Sequence, residues 1–345
     1  MKTRLFLSAA LLCLATITCN AQYSGYALGF YNLENLFDTK HDEGKNDFEF
    51  LPTGSYAWSD IKYENKLKNM AQVLADMGTD KSPEGCAFIG VSEVENANVL
   101  KDLVNQPVLK ARNMQFCHIE GPDKRGVDCA LLYNPKYFTV KSVELPLYVY
   151  TKPEDEGHQT RGFLTVKGTM ADEDVCVIVC HWPSRGAGPF YRNEAGRQVK
   201  ELKEKLLSEN KNLKIFIMGD MNDDPNNDSM KKYLGCKSEV HDCEEGDLYN
   251  PWYNVLVKKG QGTLAYNGAW NLFDQIVITP NLLNKKGQKD FSTLKYHASH
   301  IFTRPYLFQT EGKYKGNPKR THASGSWLNG YSDHLPVVMY LAKKK

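Results

Sequence analysis

Ile215-Phe216-Ile217-Met218-Gly219-Asp220-Met221-Asn222-Asp223-Asp224-Pro225 is an apolar run that stops abruptly at a glycine, a carboxylate and, two residues on, an amide. Four successive apolar residues suit a short strand buried on both faces. Such a strand carries Asp220 and Asn222 to a sheet edge, where a metal ion or a water molecule can meet them. Four other apolar runs end in the same way, and the five ends together read as one active site.

Runs rich in Val, Ile, Leu and Phe recur at Ala27–Tyr31, Ala87–Val91, Cys129–Tyr133, Gly162–Lys167, Val175–Cys180, Phe273–Ile278 and Leu335–Leu341. Their lengths fit strands, and most are apolar on both faces, as expected of strands held between layers. Two stretches read as helices. Asp60 to Met77 carries Ile61, Leu67, Met70, Leu74 and Met77 near a 3.6-residue period, with Ser59 or Asp60 as N-cap. Arg192 to Leu207 is charged but keeps Val199, Leu202 and Leu206 on one stripe, the pattern of a surface helix laid on a sheet. Strands outnumber helices at irregular spacing, which disfavours a repeated βαβ barrel and favours a two-sheet core with outer helices. Asn281 to Tyr331 is polar and rich in Gly, Pro, His and Lys, and reads as surface loops.

The 345 residues are 41% hydrophobic and 24% charged, ordinary proportions for a chain that builds a large core. Residues 1–21 read as a secretory signal: Lys2 and Arg4, an apolar stretch from Leu5 to Ile17, then small residues before Gln22. Residues 22–345 then form one domain, expected in the periplasm or outside the cell. A lipoprotein anchored at Cys19 is the less favoured alternative, because Thr16-Ile17-Thr18 is a poor approach to an acylated cysteine. No apolar stretch is long enough for a stable membrane span, and a monomer is expected. Removal of residues 1–21 lowers the Lys and Arg total from 43 to 41, equal to the 41 Asp and Glu. A nucleic-acid partner would therefore need a local basic patch. Cys236 and Cys243 flank a polar loop and can bridge in an oxidising compartment. Cys86, Cys129, Cys176 and Cys180 lie in apolar runs and read as small packing residues.

The chemistry-bearing ends are Asn32 and Glu34 after the first strand, Glu93 after Phe88–Val91, His181 after Val177–Cys180, Asp220 and Asn222, then Asp274, and Ser332-Asp333-His334. Taken singly, each reads as a capped turn, a salt-bridged carboxylate or a structural histidine. Taken jointly, each of these ends carries an acid, an amide or an imidazole. Oxygen ligands of this kind suit a hard cation such as Mg²⁺, with Mn²⁺ or Ca²⁺ as substitutes; Zn²⁺ lacks a compact His/Cys cluster.

This ordered set, above all Gly219-Asp220-Met221-Asn222 and Ser332-Asp333-His334, resembles the endonuclease/exonuclease/phosphatase superfamily, which includes deoxyribonuclease I, exonuclease III-type endonucleases, inositol-polyphosphate 5-phosphatases and bacterial sphingomyelinases. The likeness runs from about Ala27 to Leu341. It implies an α/β (α+β) fold, a four-layer α/β/β/α sandwich of two mixed β-sheets packed face to face with outer helices. It implies a metal held by Glu93 with Glu34 and Asp333 nearby, and an attacking water aligned or deprotonated by Asp220. Asn32 and Asn222 would hold a phosphate oxygen, with Arg161 and Arg185 against the phosphate. His334, oriented by Asp274, would stabilise charge, and His181 would aid the leaving oxygen. The expected substrate is a nucleic acid or another phosphodiester, and an exported nuclease is the leading reading. Its phosphate contacts would come from Arg185, Arg192 and the basic, aromatic stretch Arg304 to Arg320. A phosphatase or phosphodiesterase on inositol phosphates or phospholipid head groups is the alternative, and a non-catalytic binding module is a third reading.

Overall fold

The computed structural model describes residues 23–285, 287–323 and 325–345; residues 1–21, read above as a secretory signal, lie outside them. Two mixed sheets form the centre. The first has the order β14-β17-β1-β2-β4-β3, with β1 Tyr23–Leu36, β2 Cys86–Val94, β3 Gln115–His118, β4 Asp128–Tyr133, β14 Lys295–Ile301 and β17 Val337–Lys344. The second has the order β5-β6-β7-β8-β13-β10-β9. Its strands are β5 Phe138–Glu144, β6 Leu164–Met170, β7 Glu173–His181, β8 Lys214–Asp220, β9 Cys236–Lys237, β10 Leu248–Tyr249 and β13 Asp274–Ile278. Two small hairpins, β11 Leu264–Tyr266 with β12 Ala269–Asn271 and β15 His322–Ala323 with β16 Ser326–Trp327, lie outside the sheets.

The apolar runs are apolar on both faces because each face meets a different layer. Alternate residues of a strand point opposite ways. In β8, Phe216 and Met218 enter the core between the sheets, while Ile215 and Ile217 enter a second core beneath helix α4 (Pro189–Glu209). In β7, Val175, Val177 and Val179 point inward, and Cys176, Ile178 and Cys180 point toward α4. In the first sheet, Leu28, Phe30 and Phe88 face the second sheet. Tyr31, Ile89 and Val91 pack under helices α1 (Asp60–Asp76) and α2 (Ala97–Val104). The result is helix, sheet, sheet, helix. Each fully buried Phe, Ile or Val contributes roughly 1.5–3 kcal/mol. The remaining helices, α3 (Pro107–Lys110) and α5 (Trp252–Lys259), are short.

The expected α1 begins where Ser59 caps it, its side chain accepting from the Lys62 amide. Its buried face is not the expected one throughout. Ile61 is 72% exposed, and Tyr63 and Lys66 take the inner positions. The stretch Asn281 to Tyr331 is not all loop. Lys295–Ile301 forms edge strand β14 against β17. Its sequence, Lys-Tyr-His-Ala-Ser-His-Ile, lacks an apolar run because an edge strand half open to solvent needs none. Phe138–Glu144 escaped notice for the same reason and forms the opposite edge, β5. Cys236 and Cys243 are unbridged, as are the other five described cysteines. Cys86, Cys129, Cys176 and Cys180 are buried among apolar side chains.

β7 and β8 run parallel, with Cys180 beside Gly219 and His181 beside Asp220. A methyl group on Gly219 would collide with the Cys180 carbonyl. Gly219→Ala should therefore push the two strands apart at the rim of the sheet. The expected outcome is a loss of about 1–3 kcal/mol in urea unfolding, together with loss of turnover. An unchanged midpoint would contradict the close approach.

Candidate active site

The strand ends gather because of the pairing just described. Parallel β7 and antiparallel β13 flank β8, so His181 and Asp274 both lie level with Asp220. On the other sheet, parallel β1 and β2 bring Asn32 level with Ser92, one residue before Glu93. Antiparallel β17 starts beside Phe30 and delivers Ser332-Asp333-His334 to the same rim.

Asp220 Oδ2 is the focus. It accepts from Asn32 Nδ2 at 3.0 Å, and the same amide nitrogen reaches Glu93 Oε1 at 3.3 Å. His181 Nε2 stands 3.8 Å from both Glu93 Oε1 and Asp220 Oδ2, and His334 Nε2 stands 3.8 Å from Asp220 Oδ2. His334 Nδ1 is 2.7 Å from Asp274 Oδ2. Asn222 donates to the Trp182 carbonyl at 3.0 Å, and Ser332 Oγ donates to the Asn32 carbonyl at 2.7 Å.

The backbone at these ends is strained. Glu34, Asn35, Glu93 and Asn222 have φ of 48°, 57°, 59° and 50°. Non-glycine residues held in this region cost about 1–3 kcal/mol each and cluster at functional sites. Side-chain acceptors hold them there. Asn32 Oδ1 accepts from Glu34 N at 2.8 Å, Glu93 Oε2 from Asn35 N at 3.0 Å, and Asp220 Oδ1 from Asn222 N at 2.9 Å.

Burial sets the proton affinities. It pushes the Asp220 carboxyl up to about 6, with Asp274 and Glu93 raising it further and His334 opposing. Burial opposes charge on His334, but Asp274 and Asp220 outweigh it and hold the imidazolium well above the usual histidine range. His181 moves the other way: burial, then Arg161, Arg125 and His334, push it well below that range, so it is neutral. Its Nδ1 has no hydrogen-bond partner among the described residues.

Match to a known family follows from the same segments: residues 27–343 match the Endonuclease/Exonuclease/phosphatase family. The chain belongs to that family. Members are hydrolases of phosphoester bonds and generally use divalent metal ions. Three solved structures with this family's fold illustrate the likeness. A mannosyl-6-phosphatase from Bacteroides thetaiotaomicron is 16% identical, with a TM-score of 0.56 over 92% of this chain and 99% of that one. An endonuclease/exonuclease/phosphatase family protein of the same organism is 16% identical, with a TM-score of 0.55 over 94% and 100%. D. rerio TDP2, complexed with a single-strand DNA product, is 12% identical, with a TM-score of 0.53 over 92% and 99%. No curated protein matches the chain.

Other expected residues of the family site are engaged elsewhere. Arg161 lies at the end of β7. It is buried, pairs with Asp123 at 2.8 Å, and donates to the His181 and Trp182 carbonyls at 3.3 and 3.1 Å. It braces the β7 end from beneath, because Asp123 offers it a buried countercharge. Arg185 lies at the rim but is shared among Asp224 at 2.9 Å, Asn271 at 3.0 Å and the Asn222 carbonyl at 3.3 Å, with Phe273 under its plane. Glu34 and Asp333 are both held by Arg320, at 2.9 and 3.0 Å, and the second Glu34 oxygen accepts from Thr321 N at 2.7 Å. Lys66 was missed. It is fully buried in α1 and donates to Thr321 Oγ1 and the Tyr331 carbonyl, both at 2.6 Å. A lysine three residues after Tyr63 and four before Met70, on the inward face of a helix, was the available signal.

Arg161→Met should destabilise the fold by roughly 3–5 kcal/mol, since it strands Asp123 as an uncompensated buried charge. Chemical denaturation checks this. A loss within experimental error would show that Asp123 finds another partner.

Proposed function

We propose that the chain is a divalent-metal-dependent phosphoesterase whose working centre is Asp220 Oδ2, with Glu93 as the main protein anchor of the ion. The observation that carries this reading is the pair of carboxylates, buried Asp220 and half-buried Glu93, joined by one Asn32 amide. Their hard oxygen donors fit Mg²⁺, and so does the charge. The neutral His181 supplies no countercharge, and the single imidazolium of His334 is shared between Asp274 and Asp220. Among the described residues no three His, Cys, Asp or Glu side chains converge on a closed cage. The ion would thus rest on one or two carboxylates, water and substrate phosphate, as Mg²⁺ commonly does. When bound, it would neutralise phosphate charge.

The protein groups take the remaining work. Asp220, with its raised proton affinity, orients the attacking water and receives its proton. Asp220 Oδ2 and His334 Nε2 are 3.8 Å apart, so an oxygen seated to one side of the pair would lie within hydrogen-bond distance of both. His334, fixed by Asp274, donates to a phosphate oxygen and stabilises its developing charge. Asn32 and Asn222 orient the phosphate, and neutral His181 donates toward the leaving oxygen.

For the substrate, we favour a compact phosphate ester over a long polynucleotide. The arginines that a nucleic-acid track would need are committed to internal pairs. Arg192 meets Asp223 at 2.8 Å, Arg185 meets Asp224, and Arg304 meets Asp80 at 2.8 Å. Arg304 and Tyr306 dock near the far end of α1, Tyr306 on Asp76. A nuclease remains the second reading, supported by the half-exposed Arg185 stacked at 4.4 Å over Phe273 beside Asn222. Export is supported by the signal-like residues 1–21; no helix of the described residues is long and apolar enough to cross a membrane.

Chelation should abolish hydrolysis of a generic phosphate ester, and Mg²⁺ or Mn²⁺ should restore it. Asp220→Asn and His334→Ala should each lower kcat roughly 10²–10⁴-fold while leaving the far-ultraviolet spectrum unchanged. Parallel assays on sugar phosphates, inositol phosphates, DNA and RNA decide the substrate. Exclusive degradation of nucleic acid would overturn the preference for a compact ester. Near-normal turnover in either variant would remove its residue from the mechanism.

A further inference from the structure

The rim of the site contains two groups of charges with different balances. Around Asp220 stand Glu93 and Asp274, with the His334 imidazolium 3.8 Å from Asp220 and 2.7 Å from Asp274. That group carries excess negative charge and invites a dication. The second group is Glu34 and Asp333, capped from solvent by Arg320 and underlain by Lys66. Arg320 donates Nε to Glu34 at 2.9 Å and Nη2 to Asp333 at 3.0 Å. Lys66 lies beneath, within electrostatic reach of Glu34 and Asp333 and, after them, of Glu93, and is held by Thr321 and Tyr331. Two cations face two anions, so a metal ion in this corner would create positive excess.

Arg320 closes the corner without being spent by it. Its side chain is 47% exposed, against 7% for Glu34 and 27% for Asp333. Its Nη1 donates to no group among the described residues. A guanidinium with two edges fixed and one free is pre-oriented for a phosphate oxygen, the pairing its planar fork suits best. The corner adjoins the reaction centre through one hydrogen bond and one peptide link. Glu34 N donates to the Asn32 side chain, and Asp333 precedes His334.

We propose that Arg320 is a resident cation that keeps the Glu34–Asp333 corner free of metal and offers its unpaired Nη1 to a non-bridging oxygen of the substrate phosphate. It is thus a specificity residue, and the site takes a single divalent ion, at Glu93. The substrate class it suits is a phosphomonoester, whose dianionic group gains most from a second fixed positive charge. The inference rests on the metal-dependent phosphoesterase reading above.

Mn²⁺ titration followed by electron paramagnetic resonance, with steady-state kinetics on a phosphomonoester and a phosphodiester, tests it. The wild-type chain should bind one Mn²⁺. Glu93→Gln should lose that ion, while Asp333→Asn and Glu34→Gln should keep it. Arg320→Ala should raise KM for the monoester roughly 10–100-fold, the worth of a charge-assisted hydrogen bond, and raise KM for the diester less. Arg320→Lys, which retains charge and guards against a folding defect in the alanine variant, should give an intermediate KM. Two Mn²⁺ ions in the wild type, with one lost in Asp333→Asn, would overturn the proposal. So would an unchanged monoester KM in both Arg320 variants. No Mn²⁺ binding by the wild type would instead overturn the metal-dependent reading beneath it.

Discussion

The Asn32 amide joins the two sheets at the point where chemistry is possible. Its nitrogen reaches Asp220 on β8 and Glu93 on β2, so a buried and a half-buried carboxylate from different sheets are held within one hydrogen-bonded group. Placing two such acids together is costly unless donors and a cation accompany them. Everything nearby bears on that cost. Asn32 is itself fixed by its own turn and by Ser332, His334 is charged by Asp274, and strained φ values at Glu93 and Asn222 turn the chain sharply at the rim. The apolar sandwich behind the rim makes this arrangement tolerable. Phe216, Met218, Phe30 and Phe88 are fully buried between the sheets, and their packing fixes the strand ends against relaxation.

Arginine does two different jobs around this centre. Arg161 and Arg192 are buried and paired with Asp123 and Asp223, so they stiffen the chain that carries His181 and the loop after Asp220. Arg320 is half open to solvent, and it neutralises Glu34 and Asp333, two carboxylates near Glu93. Residue type alone cannot separate these cases. What separates them is whether a carboxylate accompanies the guanidinium and whether water can reach its remaining edge.

Strand ends were readable because their apolar runs are long enough to declare burial on both faces. Asp220, Glu93 and His181 close such runs and Asp274 opens one, and their chemistry is read from the same places. β14 and β5 were not readable, since edge strands with one wet face mix Lys, His, Ser and Thr with their apolar residues. Ile61 was assigned inward because it is apolar. Lys66, which lies inward, was passed over because it is charged, although its ammonium is buried against Thr321 and Tyr331.

The order of apolar runs and polar termini in the sequence was enough by itself to determine a two-sheet core with outer helices and a phosphoester-type acid, amide and imidazole set. Those features depend on the local alternation of side chains and on residues adjacent in the chain. The allocation of charge was decided only by the tertiary structure. Arg320 meets Glu34 across 286 residues and Lys66 meets Thr321 across 255, and no local pattern encodes such pairings. They arise when β1, α1 and the segment before β17 pack together. That packing leaves Glu93 open to a cation while Glu34 and Asp333 are already neutralised.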